Sequence, residues 1–387
     1  MASLFVAALA FTLATTSTAA PALTERNCIN LQLSVPVTAN TTNLDVPRVD
    51  NNVDAVDLVW NIERWTAPNT TARITGTNLI QQTFSINAQL CVPNNSTKNV
   101  LQIATHGFGF EKRYWDSELH PELYSYVEAS LAAGYSILTY DRLGVGRSDK
   151  PDAYDIVQGS VQVEIIKELT LMARAGSLTT SSSIQNTAIP KFDKIVLVGH
   201  SLGSALTLGV LTKYGNLVEG AVSTGFIIEG VTGLVSDDAF GLEYAASNDP
   251  QRFSDRGSGY MVQATQSNAQ QIFFKKGHFE QEMLEYAVSI KETGTVGDFV
   301  SLGLVLGQPA LEFTGPLLFA LGEYDYAICN GNCTGFYDLP ALKSSLFPNA
   351  TDLTAHVQPG SGHALTMHTN ATGQFQAIFK YLESNGL

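Results

Sequence analysis

Apolar positions recur along this chain with two different periods, and the changes of period mark its organisation. From Asn27 to about Asn99, short segments alternate apolar and polar residues, INLQLSVPV, LVWNIERW and TFSINAQLCV, between clusters of Asn, Thr and Pro. Period two with such punctuation predicts strands, so residues 20–99 read as a β-rich, antiparallel entry to a sheet. Beyond it, the continuous apolar runs VLQIATHG and SILTYD alternate with the helical stretch HPELYSYVEASLAAG and a helix within about Ala153 to Ala175. Apolar runs of that length suit strands buried on both faces. Their alternation with helices predicts an α/β class: a mostly parallel, twisted sheet with right-handed crossovers and helices on both faces.

The Ser/Thr-rich tract from Ser177 to Pro190 predicts a surface connection, after which the alternation resumes. KIVLVGHSLGSALTLGVLTKY gives a strand, a tight turn and a helix, and GAVSTGFII gives another strand. Between about Glu229 and Thr314 the pattern breaks, and AQQIFFKK, FEQEMLEYAVSIKE and VGDFVSLGLVL carry helical spacing. The sheet pattern returns at PLLFALGE and TAHVQ and ends in a helix over roughly Gly373 to Ser384. The expected division is therefore a core of 100–228 and 315–387, interrupted by a helical cap, 229–314. Such an insertion sits above the carboxyl edge of the sheet, where ligands of open α/β sheets bind. The cap is rich in aromatics, among them Phe240, Phe273, Phe274 and Phe299, which suit an apolar pocket.

Composition adds a compartment. The apolar run Leu4 to Ala14, followed by small and hydroxyl residues, has the form of a signal peptide, with Ser17 and Ala19 placing the cut after residue 19. The run is too short to span a bilayer core of roughly 30 Å, so secretion to an extracellular location is expected, without stable membrane insertion. Four cysteines, Cys28, Cys91, Cys329 and Cys333, are an even number in a chain bound for an oxidising compartment. Of the three possible pairings, Cys28 with Cys91 and Cys329 with Cys333 joins neighbouring segments. Zinc lacks its paired CxxC spacing, so no metal is expected. Glycosylation sequons begin at Asn40, Asn69, Asn94, Asn95, Asn332, Asn349 and Asn370. The balance of 22 basic against 36 acidic residues, a net charge of −14, opposes nucleic acid and anionic membranes as partners.

Candidate chemistry centres on Gly199-His200-Ser201-Leu202-Gly203, a G-x-S-x-G motif set between a strand and a helix. A serine hydroxyl is a weak nucleophile at neutral pH and needs a base within hydrogen-bond reach, itself oriented by a carboxylate. His363 lies in the loop Pro359-Gly360-Ser361-Gly362-His363 after the last strand, which makes it the expected general base; His356, His368 and His278 are rivals. Asp325 follows the strand PLLFAL and is the expected acid, with Glu323 and Glu229 as alternatives. The loop His106-Gly107-Phe108-Gly109-Phe110 suits an oxyanion hole built from the backbone N–H groups of Phe108 and Leu202, with His106 buttressing the loop.

These features, together with Asp141-Arg142-Leu143-Gly144-Val145-Gly146-Arg147-Ser148 after a strand, resemble the α/β-hydrolase superfamily in its capped esterase and lipase-like branch. The resemblance spans about Val100 to Leu387. The leader, sequons and acidic balance look like those of secreted fungal members. The resemblance implies an α/β-hydrolase fold and a cofactor-free serine hydrolase acting on a small or lipid-like carboxylic ester through an acyl-enzyme on Ser201. A thioesterase or amidase with the same triad, a lyase and a non-catalytic member stay open, since a fold does not name its leaving group. Serine at the elbow, where epoxide hydrolases and dehalogenases carry aspartate, argues against those two.

Overall fold

A computed structural model describes residues 26–94, 98–179, 190–228 and 238–387 of the 387-residue chain. The expected leader, Asn95, Glu229 and most of the 177–190 connection lie outside the described residues. Two long strands open the fold, β1 (Arg26–Leu44) and β2 (Ile74–Pro93), paired antiparallel along nearly their whole length. On β1, Leu31, Leu33, Val35, Val37 and Ala39 are buried while their neighbours face outward, so period two is kept from Leu31 to Ala39. Cys28 and Cys91 face each other across this ladder and are joined as a disulfide.

One expectation fails within this region. LVWNIERW, read as a strand, is mostly helix α1 (Asn52–Glu63) in the connection between β1 and β2. Asn51 caps it, its side chain accepting from the N–H groups of Val53 and Asp54, and Ala55 and Leu58 form its buried stripe. Val53, Val56 and Trp60 lie on its exposed face. These β-branched and aromatic residues carry strand propensity, which cap and helical burial override.

The sheet continues through β3 (Val100–Thr105), helix α2 (Tyr126–Ala132), β4 (Ser136–Tyr140), helix α3 (Gly159–Ala175), β5 (Lys194–His200), helix α4 (Leu202–Tyr214) and β6 (Gly220–Thr224). After an insertion come β10 (Leu317–Gly322), helix α8 (Leu339–Leu346), β11 (Leu353–Gln358) and helix α9 (Ala371–Ser384). The eight strands lie in the order β1-β2-β4-β3-β5-β6-β10-β11, with every pairing from β4 to β11 parallel. From β3 the chain winds one way to β4 and then crosses back to β5. The carboxyl ends of β3 and β5 therefore form the switch point at which ligands of open sheets bind.

The insertion between β6 and β10 is not purely helical. It holds β7 (Leu242–Tyr244), β8 (Tyr260–Gln263) and β9 (Gly294–Thr295), a small antiparallel sheet, besides helices α5 (Gln266–Phe273), α6 (Gln281–Ser289) and α7 (Val296–Ser301). Strands of two to four residues are too short for period two to register in a sequence. A buried ion pair ties this insertion to the core: Arg142 Nη1 donates to Asp298 Oδ2 at 2.8 Å, and Asp298 Oδ1 also accepts from Gln162 at 3.1 Å.

Candidate active site

Ser201 stands between β5 and α4 with φ 53° and ψ −119°, a conformation that L-residues adopt only when their surroundings impose it. Its N–H donates to Thr224 O at 2.8 Å, and the Ser204 hydroxyl donates to the same carbonyl. The flanking glycines allow the close approach that this turn needs. A Cβ on Gly203 would fall on the carbonyls of Thr105 and His106, and one on Gly199 would strike the Ser204 backbone. The sharp turn places Ser201 at the N-terminus of α4, whose partial positive charge favours a developing anion.

The acid loop follows β10. Asp325 is fully buried, its Oδ1 accepts from Ile328 N at 3.0 Å and its Oδ2 lies 2.7 Å from His363 Nδ1. Because Asp325 Oδ2 accepts, Nδ1 carries the proton, and His363 Nε2 is left with a lone pair. That atom is buried and has no hydrogen-bond partner among the described residues. The ring lies between Phe273, parallel at 6.0 Å, and His200 at 4.9 Å. The two loops are laced together: Glu323 N donates to Gln358 O, Tyr324 N to Ser361 O, and the Glu323 carboxylate accepts from Gly360 N at 2.9 Å. Glu323, the rival acid, is thus occupied in bracing the histidine loop. Cys329 and Cys333 form a disulfide that closes the turn after Asp325, and Cys333 N donates to Glu323 O.

His106, His200, His356 and His278 take part in the framework around the site. His106 Nε2 accepts from Arg142 N at 3.1 Å, so Nδ1 carries the proton and donates to Gly107 O at 2.9 Å; burial holds its pKa well below the usual value. Its position fixes the loop that bears Phe108. His200 is fully buried, stacks on Tyr114 at 4.2 Å and is likewise kept neutral by burial. His356 bonds Gln358 on β11 at 2.8 Å, and the His278 ring lies against Tyr324.

Ser201 and His363 line a cavity of about 360 Å³, together with Phe108 and Leu202, the two residues whose N–H groups suit an oxyanion hole. Its walls are apolar: Phe226 and Ile228 after β6, Ala327 and Ile328 beside the acid, and Phe240, Phe299, Leu302, Gly303 and Leu306 from the insertion. Phe273 and Phe274 do not line it. Both are buried, Phe273 against His363 and Phe274 against Phe279 and His368. The wall residues Phe226, Ile228, Ala327 and Ile328 carry no motif, and only folding reveals them. Asn40, Asn69, Asn94, Asn332, Asn349 and Asn370 are all exposed. Among the described residues no helix is long and apolar enough to cross a membrane, and no cluster of ligands suits a metal ion.

The chain belongs to the alpha/beta hydrolase family, whose model matches residues 103–375. Similar solved structures include a thermophilic esterase from Thermogutta terrifontis with malate bound, 14% identical with a TM-score of 0.51, covering 78% of this chain and 94% of that one. A monoacylglycerol lipase from Paleococcus ferrophilus is 13% identical with a TM-score of 0.51, covering 78% and 99%. A structure reported for carboxylesterases of Nitrososphaera gargenis is 11% identical with a TM-score of 0.51, covering 79% and 96%. At such identities the likeness is one of fold. Comparison with curated proteins finds no match.

Proposed function

We propose that the chain is a serine hydrolase of carboxylic esters with an apolar acyl or alcohol part. The observation that carries this reading is the unpartnered Nε2 of His363, held in one tautomer by Asp325 and lining the same apolar cavity as Ser201. Ser201 Oγ attacks the ester carbonyl carbon while Nε2 takes its proton. The carbonyl electron pair moves onto oxygen, which the N–H groups of Phe108 and Leu202 stabilise, and then returns as the C–O bond breaks. The imidazolium protonates the leaving alcohol, and water releases the acyl group by the same route. Asp325 stabilises the imidazolium without being protonated itself.

The cavity volume lies near the lower end of the roughly 300–1,000 Å³ usual for small-molecule sites, and among the described residues no Asp, Glu, Lys or Arg lines it. That favours neutral, apolar esters over charged ones. Within the expected cap, 229–314, the described residues from 238 onward complete this cavity above the core. The leader-like run Leu4 to Ala14, the two disulfides and the exposed sequons favour a secreted, glycosylated protein. The test is labelling with a fluorophosphonate, followed by turnover of p-nitrophenyl esters of increasing acyl length. Labelling confined to Ser201 and turnover of neutral esters are expected. An unlabelled, folded protein inert on the whole series would overturn the reading.

A further inference from the structure

His368 lies outside the triad, five residues beyond His363, yet it binds both the loop that carries the base and the insertion above it. The residue is completely buried. Its Nε2 is 2.9 Å from Gly362 N and 3.3 Å from Lys275 N, and its Nδ1 is 2.8 Å from Ala364 O. Both backbone amides can only donate, so Nε2 must accept and Nδ1 must carry the proton. One neutral imidazole therefore grips the residues on either side of His363 and, through Lys275, the chain just after α5. Burial supports this protonation state by drawing the pKa down to about 4.

A second contact runs alongside the first. Ala364 N donates to Phe273 O at 3.0 Å, and the Phe273 ring stacks on His363. The His363 backbone is thus clasped to the segment Phe273–Lys275 from two directions. A Cβ on Gly362 would meet Phe273 O at 2.8 Å and His368 Nε2 at 3.1 Å, so the clasp is closed to any larger residue.

We propose that His368 is a positioning residue: as a neutral hydrogen-bond acceptor it locks the loop of the base His363 to the insertion, so that docking of the insertion and alignment of the base are one event. The inference rests on the serine-hydrolase reading for its catalytic consequence, although the clasp itself does not. Loosening it frees the imidazole to drift from Ser201, and a shift of about 1 Å at a reacting group can cost about a hundredfold in rate.

The test compares His368→Leu, His368→Gln and His368→Asn in the full chain. The glutamine amide oxygen reaches the position of Nε2 and keeps the acceptor, whereas asparagine reaches only Nδ1 and leucine supplies neither. We expect kcat and the rate of fluorophosphonate labelling to fall roughly tenfold to a hundredfold in the Leu and Asn variants. KM should stay within about threefold, because His368 does not line the cavity, and Gln should retain most activity. Amide hydrogen exchange at Gly362 and Lys275 should quicken in Leu and Asn but not in Gln.

A residue needed only for packing predicts the reverse order, with Leu tolerated best. Leu labelling at the parental rate, or Gln as impaired as Leu, overturns the proposal. If the Leu variant does not fold, the Gln and Asn pair decides. Should the parent protein not label at Ser201, the hydrolase reading fails, while hydrogen exchange still passes judgement on the clasp.

Discussion

Two cavities in this molecule make opposite use of their polar groups. The larger, about 950 Å³, lies beside β2 and the start of α2 and is lined with charge. Its charges are largely neutralised in place: Lys112 pairs with Asp141, Arg26 with Asp116 and Glu128, and Arg256 and Arg252 hold Glu292. The smaller, about 360 Å³, is apolar, and among the described residues lining it one buried nitrogen, on His363, has no partner. A buried polar atom left unpaired costs about 1–3 kcal/mol, so its persistence calls for a purpose. The contrast teaches that size and charge are poor guides to chemistry here. The informative feature is an acceptor left open to an apolar cavity while Asp325 holds the opposite nitrogen of the same ring.

The sharpest way to break that comparison is Ser201→Ala. It should abolish fluorophosphonate labelling and lower ester turnover by a factor of about 10⁴ or more, with His363→Ala nearly as severe and the double variant little worse, because a triad acts as a unit. Residual turnover within tenfold of the parent would shift the chemistry to another group.

Next in size is Asp298→Ala, which removes the partner of a fully buried guanidinium and should destabilise by about 3–5 kcal/mol in denaturant unfolding. Little change would mean that the insertion is held by apolar packing alone.

Gly303→Leu probes the small cavity more gently. A Cβ there meets nothing within 4 Å, so the new side chain can occupy cavity space without displacing backbone. The ratio of kcat/KM between long and short acyl esters should fall by about 1–3 kcal/mol equivalent, read from the p-nitrophenyl series. An unchanged profile would show that the acyl chain lies elsewhere.

The smallest effect on activity is expected in the charged cavity. Burial and the neighbouring Asp141 push the Glu111 carboxyl up to about 7, above its unfolded value of 4.5. The folded state therefore holds this proton more tightly, and its ionisation costs stability as pH rises from about 4.5 through 7. Glu111→Gln removes that cost, so its melting temperature should gain on the parent's between pH 5 and pH 8 while kcat/KM stays within about twofold. A large loss of turnover would give the larger cavity a part in catalysis.

The positions of Ser201, Asp325 and His363 were legible in local sequence because each sits at a strand-to-loop junction whose pattern is short and self-contained. Gly199 to Gly203 needs only its strand and helix, and Asp325 and His363 need only to follow the next two apolar runs. LVWNIERW departs from the strand its pattern predicts because one stretch of eight residues satisfies both periods, and only Asn51 as a cap and the packing of Ala55 and Leu58 select the helix. His368 stood out in the sequence only as a rival for the base, and nothing there pointed to its hydrogen bonds. Its significance lies in hydrogen bonds to Gly362, Ala364 and Lys275, and the last of these is 93 residues away.

By itself, then, the sequence determined the parallel sheet, the place of the interruption between the sixth strand and its return, and the identity of three polar residues at the sheet's carboxyl edge. These follow from periodicity and turn chemistry, which act over a few residues. Only the tertiary structure decided which apolar side chains wall the cavity, that the insertion carries a sheet of its own, and that a second histidine clasps the loop of the first. Those outcomes depend on burial against distant segments, where free energy is set by complementary shape and by the pairing of every enclosed polar atom, neither of which a linear pattern records.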